Sequence, residues 1–196
     1  MTLHAVIDTN VIVSGLLTKN NESPTRVILD NVFSDKIIPL LNSEIMMEYT
    51  DVLSRGKFRL SEQEIRTIID MFSVKGEACP RCSTGVSLPD PDDLVFYETY
   101  ASCENYYLIT GNKKHFPSEG KIVSPAEMVQ ILHQMEQHAS VILSEPQRMY
   151  ISEEKAALIA KAWETIERIR MASVENGTSD MSMEEIDEEI RKCRRG

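Results

Sequence analysis

Four short stretches of this chain place oxygen-bearing side chains where an α/β protein does chemistry. The run His4-Ala5-Val6-Ile7-Asp8-Thr9-Asn10 is apolar and β-branched until it reaches an acid, a hydroxyl and an amide. Such runs read as buried strands of a parallel sheet. An acid at the C-terminal end of a strand of this kind stands where open α/β sheets hold their ligands. Glu44 and Glu48 fall on a later amphipathic segment, Asp92 and Asp93 at a helix start, and Asn112 after a further apolar run. Gathered together, carboxylates repel one another unless protonated or neutralised. Hard oxygens without Cys or His select Mg²⁺ or Mn²⁺ over zinc, and such ions polarise a phosphodiester and lower the pKa of a bound water. Each residue also has a plainer reading. Asp92 or Asp93 serves as a helix N-cap worth about 0.5–2 kcal/mol, Glu44 and Glu48 as solvated helix positions, and Asp8-Thr9-Asn10 as a turn.

The order of elements decides whether these residues meet. Residues 4–8 form a first strand, after which Ser14-Gly15 opens a loop. Ser23 caps a short helix that begins at Pro24 and runs to Phe33. Residues 36–41 make a second strand. Asn42-Ser43 then caps a helix through Ser54, with Ile45, Met46, Tyr49, Val52 and Leu53 on its apolar face. Ser61-x-x-Glu64 is a capping box that opens a helix to about Phe72. Residues 76–91 hold two Gly and three Pro and read as a loop. A helix from Leu94 to about Asn105, a strand at 106–110, a strand at 121–123 and a helix from Ser124 to about Met135 complete the pattern. This alternation predicts a three-layer α/β/α fold with a central parallel sheet and right-handed crossovers. Asp8, the Asp92-Asp93 loop and Asn112 then share the sheet's C-terminal edge.

The chain has 196 residues, 42% of them hydrophobic, and a formal net charge of −10. That is enough for one compact domain with an appendage. The charge opposes free electrostatic capture of nucleic acid, which takes a basic face, although bound cations turn an acidic cluster positive. The N-terminus lacks a basic leader region and no run is long enough to span a membrane. The expectation is a soluble, cytoplasmic protein with no membrane partner. Cys79-Pro-Arg-Cys82 is a lone CxxC, and Cys103 and Cys193 stand apart. A structural zinc site takes two such pairs, or one pair with spaced histidines, so these read as ordinary thiols.

The segment Ala5-Val6-Ile7-Asp8-Thr9-Asn10-Val11-Ile12-Val13-Ser14-Gly15-Leu16-Leu17 closely resembles the opening of PIN-domain proteins, in the branch of toxins of toxin–antitoxin systems related to VapC-type ribonucleases. Three further stretches agree: Ser43 to Arg55 with Val52-Leu53-Ser54-Arg55-Gly56-Lys57-Phe58, then Pro89-Asp90-Pro91-Asp92-Asp93, then Leu108-Ile109-Thr110-Gly111-Asn112. The resemblance covers about residues 1–135 and implies a metal-dependent endoribonuclease acting on RNA. The family's first acid falls on Asp8, its second on Glu48 with Glu44 as competitor, and its third on Asp93 beside Asp92. The fourth position, often acidic, is Asn112 here, so the site loses a charge and holds a second ion more weakly. The resemblance thus implies Asp8, Glu48, Asp93 and Asn112 as catalytic residues and Asp8, Asp93, Glu48 and Asp92 as ligands of Mg²⁺ or Mn²⁺. Thr9, Asn10, Ser14 and Thr110 would support them by hydrogen bonds. Lys113, Lys114 and His115 follow at the same edge, to contact backbone phosphates or to form a solvated turn. The family likeness also implies a homo-oligomer.

Residues 136–196 lie beyond that likeness as a mainly helical C-terminal extension. Val141-Ile142-Leu143 and Met149-Tyr150-Ile151 flank a hairpin turn. Ser152 caps a helix with Ile159, Trp163, Ile166 and Ile169 on one face, ended by Asn176-Gly177. Ser182-x-x-Glu185 opens another with Ile186 and Ile190 on one side. An exposed apolar stripe needs a cover: this chain's own domain, a second copy, or a partner. The extension weakly resembles an antitoxin. It is expected to be either an inbuilt antitoxin-like arm, bringing Arg191, Arg194 or Arg195 to a carboxylate pocket, or a plain helical extension. The competing function is an inactive PIN protein acting as a binding or regulatory module. A phosphatase of the haloacid-dehalogenase type is set aside, because it wants a second Asp where Asn10 stands.

Overall fold

A computed structural model describes residues 2–102, 106–118, 120–139 and 152–194. The sheet is built on β1 (Leu3–Ile7), whose Ala5, Val6 and Ile7 are wholly buried. On one side β1 pairs with β2 (Ile37–Leu41), and on the other with β4 (Tyr107–Ile109). A two-residue β3 (Glu77–Ala78) lies outside β2, and β5 (Ile122–Val123) lies outside β4. Every pairing is parallel and the order is β3-β2-β1-β4-β5. The chain leaves β1 for β2 and later returns on the opposite side as β4. The strand order therefore reverses at β1, and the crevice outside the strand ends at such a point is where α/β sheets bind ligands.

Helices α1 (Thr9–Leu17), α2 (Pro24–Phe33) and α6 (Pro125–Ala139) pack with one another, as do α3 (Ser43–Leu53), α4 (Glu62–Lys75) and α5 (Leu94–Ala101). The expected three-layer α/β/α arrangement results. Asn42 caps α3 by accepting from the Ile45 amide at 3.0 Å, and Ser61 with Glu64 forms the expected capping box on α4. Ser23 stands at the start of α2 without a capping bond, its hydroxyl meeting that of Thr25 at 3.0 Å.

Three expectations about elements need correction. Ser14-Gly15 opens no loop, because α1 continues through both to Leu17. A Cβ at Gly15 would lie 2.7 Å from the Thr25 carbonyl oxygen, so this glycine permits the close approach of α1 to α2. Residues 76–91 are not all loop, since β3 adds to the sheet by pairing with Leu40 and Leu41. The last helix of the α/β unit, α6, extends past Met135 to Ala139. The hairpin expected at 141–151 lies outside the described residues.

Helix α7 (Glu153–Asn176) follows the Ser152 cap and stops at Gly177, whose φ of +78° is the left-handed conformation that ends helices. Its apolar stripe is covered by the chain's own α4 and α1. Trp163 packs on Phe33 with ring centroids 4.6 Å apart and the rings tilted by 41°. Arg170, 3% exposed, donates to the Gly15 carbonyl at 3.1 and 3.3 Å and to Asp30 at 3.1 Å. Ser173 donates to the Leu17 carbonyl at 2.6 Å. Helix α8 (Met183–Arg194) begins at a second capping box, where Glu185 accepts from the Ser182 amide at 2.8 Å. It buries Ile186 and Ile190 and packs on α1. No described helix is long and apolar enough to cross a membrane.

Candidate carboxylate site

Asp8 ends β1 and caps α1, and its carboxylate is fixed from two directions. Thr110, at the end of β4, donates its hydroxyl to Oδ2 at 2.6 Å, and Asn10 donates Nδ2 to the same oxygen at 3.0 Å. Asn10 Oδ1 accepts from the Gly111 amide at 3.1 Å. That backbone donor settles which end of the amide faces which way, since only oxygen can accept there. Thr110 Oγ1 in turn accepts from the Asn112 amide at 2.9 Å. The ends of β1 and β4 are thus joined through side chains of the acid, the amide and the hydroxyl.

Asp93 is positioned by a 3-10 turn, Pro91–Asp93, in which Asp90 accepts from the Asp92 amide at 3.2 Å. It is buried, and its Oδ2 pairs with His115 Nδ1 at 2.8 Å. Asn112 Nδ2 stands 2.9–3.1 Å from the His115 ring nitrogens. His115 therefore faces an acid and an amide instead of a solvated edge. Of its basic neighbours, Lys113 pairs with Glu127 at 2.9 Å, while Lys114 is exposed.

A third carboxylate arrives from 177 residues away in sequence: Asp187 of α8 accepts from Asn10 Nδ2 at 2.9 Å. Burial raises the Asp187 pKa and the Asp93 charge adds to the rise, while the Asn10 bond and the charges of Arg191 and His115 oppose it. Asp8, Asp90, Asp93 and Asp187 line one pocket with Asn10 and His115, and Ile190 and Arg191 of α8 close it. Its free volume is about 10 Å³, room for roughly one water.

The remaining sequence-derived candidates stand around this pocket. Glu48 is half-buried on α3 and does not line it; the charges of Asp8 and Glu48 both raise the pKa of the wholly buried Tyr49, though burial is the larger cause. The Tyr49 hydroxyl donates to the Ile7 carbonyl at 2.5 Å, one residue before Asp8. Glu44 is exposed and paired with Arg81. Asp92 is exposed, and Asp90 lines the pocket in its stead. The Thr9 hydroxyl is buried without a hydrogen-bond partner, and Ser14 bonds Thr25 at 3.0 Å, away from the acids. Cys79 is buried and Cys82 exposed, and neither is in a disulfide. Asp187 and Asp90 escaped sequence reasoning. Only the position of Asp187 directly after Ile186, on a helix with a buried face, hinted that it would be carried inward.

Residues 4–114 match the family model described as PIN domain. The chain belongs to the PIN-domain family. No curated protein and no solved structure matches it. PIN domains are commonly nucleases, which sets hydrolysis of a nucleic-acid phosphodiester as the activity class, with RNA as the implied substrate and divalent metals as the general cofactor. The oxygen donors of this PIN domain are of the right hardness for such ions. Their arrangement is another matter: among the described residues, no three His, Cys, Asp or Glu side chains stand in a metal-holding group. As they stand, the described side chains do not fit a cation.

Proposed function

We propose that this chain is a metal-dependent endoribonuclease of toxin–antitoxin type, autoinhibited by its own C-terminal arm. The reading divides it into a PIN domain over residues 1–135 and an antitoxin-like extension over 136–196. Asp8, Glu48, Asp93 and Asn112 form its catalytic set, and Asp8, Asp93, Glu48 and Asp92 its ligands for Mg²⁺ or Mn²⁺. The reading also includes a cytoplasmic location, a homo-oligomer and a separate antitoxin as further partner.

The supporting observation is the closed pocket in which α8 meets Asp8 and Asp93. Neither a phosphodiester nor a hydrated ion has room in about 10 Å³. Arg191 supplies positive charge to this acidic pocket, and Asp187 shares the Asn10 amide with Asp8, each acid taking one hydrogen. Lifting α8 removes the guanidinium and opens the pocket lined by Asp8, Asp90 and Asp93. Side chains drawn together around an entering cation would have their mutual repulsion offset by it. Metal binding in this reading belongs to the lifted arrangement.

A calorimetric Mn²⁺ titration tests this on the full chain carrying Ile186→Asp and Ile190→Asp, which drive α8 off its apolar seat. Binding that disappears on adding Asp8→Asn is the expected result. Equal titrations with and without Asp8 remove metal dependence from the account. The second reading, an inactive PIN protein serving as a binding or regulatory module, draws on Asn112, whose amide faces His115 where an acid is expected. RNA binding without turnover by the undocked variant would favour it.

A further inference from the structure

The segment after α3, Gly56–Leu60, presents two cations on a fixed loop. Phe58 is 1% exposed and pins it, while Lys57 and Arg59 on either side are exposed. Arg59 has a φ of +55°, a left-handed conformation rarely taken by a side-chain-bearing residue and characteristic of places where surrounding structure dictates the backbone. Across from this loop, Glu185, Glu188, Glu189 and Lys192 share one face of α8, the i, i+3, i+4 and i+7 positions of two turns. Loop and stripe enclose a cavity of about 440 Å³, within the size range of ligand sites. Lys192 is paired along the helix with Glu188 at 3.1 Å and with Glu189 at 3.8 Å. Glu185 is held below the usual carboxylate range chiefly by Ser182, with the Lys57 charge adding to the effect.

The adjoining stripe of the same helix, Asp187, Ile190 and Arg191, is the one that closes the carboxylate pocket. One helix therefore borders two features at once, closing the acidic pocket with one stripe and lining, with acids, the cavity on whose other side the exposed cations stand. For a protein of net charge −10, polyanion binding has to come from a local basic surface. A chain of phosphates laid in place of α8 would meet Lys57 and Arg59 on its way to Asp8 and Asp93.

We propose that Lys57 and Arg59 form a contact surface for the phosphate backbone of RNA, and that the Glu185, Glu188 and Glu189 stripe of α8 stands across the cavity from it as an acidic mimic of that backbone. The choice of RNA rests on the nuclease reading of the adjoining pocket. The test uses the full chain and a fluorescein-labelled single-stranded RNA oligonucleotide of mixed sequence, in EDTA, with binding read by anisotropy. Glu185→Gln, Glu188→Gln and Glu189→Gln are introduced together. Glutamine at 185 still accepts from Ser182, so the capping box survives, and circular dichroism checks the fold. This triple variant binds about tenfold more tightly than the wild type, with affinity falling as salt rises. Adding Lys57→Ala and Arg59→Ala returns it to the wild-type value. The triple variant Glu153→Gln, Glu154→Gln, Glu164→Gln, on exposed positions of α7, shows no gain. Three outcomes would overturn the proposal: no gain in the α8 triple, a gain that survives loss of both cations, or an equal gain from the α7 triple. Cleavage in Mn²⁺ is scored separately, so that tight binding without any cutting would remove the nuclease reading and leave this surface standing.

Discussion

Asn10 spends both hydrogens of its side-chain amide on acids from opposite ends of the chain, Asp8 at 3.0 Å and Asp187 at 2.9 Å. One of those acids ends the central strand of the α/β unit and the other rides on the C-terminal helix. The pocket and the arm that closes it are therefore tied through a single side chain. Beside it Met183 packs on Gly111, where its methyl lies 1.9 Å from the place a Cβ would take. Replacing Gly111 with Ala should push aside the flexible end of the Met183 side chain and loosen the start of α8 while leaving the sheet intact. Faster amide exchange confined to residues 183–194 is the expected signature.

Gly15→Ala gives a sign that tests the α1–α2 contact. In an open helix the change stabilises by about 1 kcal/mol. Here the new methyl meets the Thr25 carbonyl oxygen at 2.7 Å, and overpacking of that kind costs about 1–3 kcal/mol. Urea unfolding should show no gain and a net loss of up to about 2 kcal/mol, with an unchanged m-value.

Arg170→Ala should cost about 2–3 kcal/mol, again by urea unfolding. It leaves the Gly15 carbonyl without its donor inside the α1–α7 contact, and an orphaned buried acceptor costs about 1–3 kcal/mol. The lost pairs with Asp30 and Glu167 add less, because both acids are partly exposed.

Glu127→Gln has a pH-dependent cost. Glu127 sits at the third position of α6, accepting from the Ser124 amide at 2.6 Å and from Lys113 at 2.9 Å. Those bonds, the Ser124 amide first, lower its pKa from 4.5 to about 2. A depressed carboxyl contributes stability that is fully present above its unfolded value and is lost as pH falls through the folded one. The site is half-exposed, so screening reduces the effect. The variant should be less stable by about 0.5–1 kcal/mol at pH 7, with the gap closing between pH 4.5 and about 2. A gap that stays constant over that range contradicts the assignment.

Much of the fold was legible because local signals agreed with it. The β-branched run into Asp8 became β1, the capping boxes at Ser61 and Ser182 opened α4 and α8, and Asn176-Gly177 closed α7. The misreadings came where tertiary contact outweighed local propensity. Ser14-Gly15 looked like a break, yet Gly15 serves a helix crossing. β3 exists because the edge of β2 offers Leu40 and Leu41 as partners, something no pattern in residues 77–78 announces. Asp8 and Asp93 were picked out in advance, and Arg191 only as one of three arginines with Arg194 and Arg195; Asp8, Asp93 and Arg191 line one pocket. Asp187 was not, because its meeting with Asn10 is made only when α8 docks. Glu48 was chosen by motif, and its half-buried place on α3 leaves it beside the pocket instead of in it.

The claim on which the account turns is that α8 shuts the carboxylate pocket, and the initial rate of RNA cleavage in Mn²⁺ tests it most directly. The comparison is between the full wild-type chain and the same chain with Ile186→Asp and Ile190→Asp, positions 1% and 3% exposed at which a charge cannot be buried without heavy cost. The undocked chain should cut at least about tenfold faster, a gain of about 1.4 kcal/mol in barrier terms, and Asp93→Asn should return it to background. Equal rates with α8 docked and released would contradict the account.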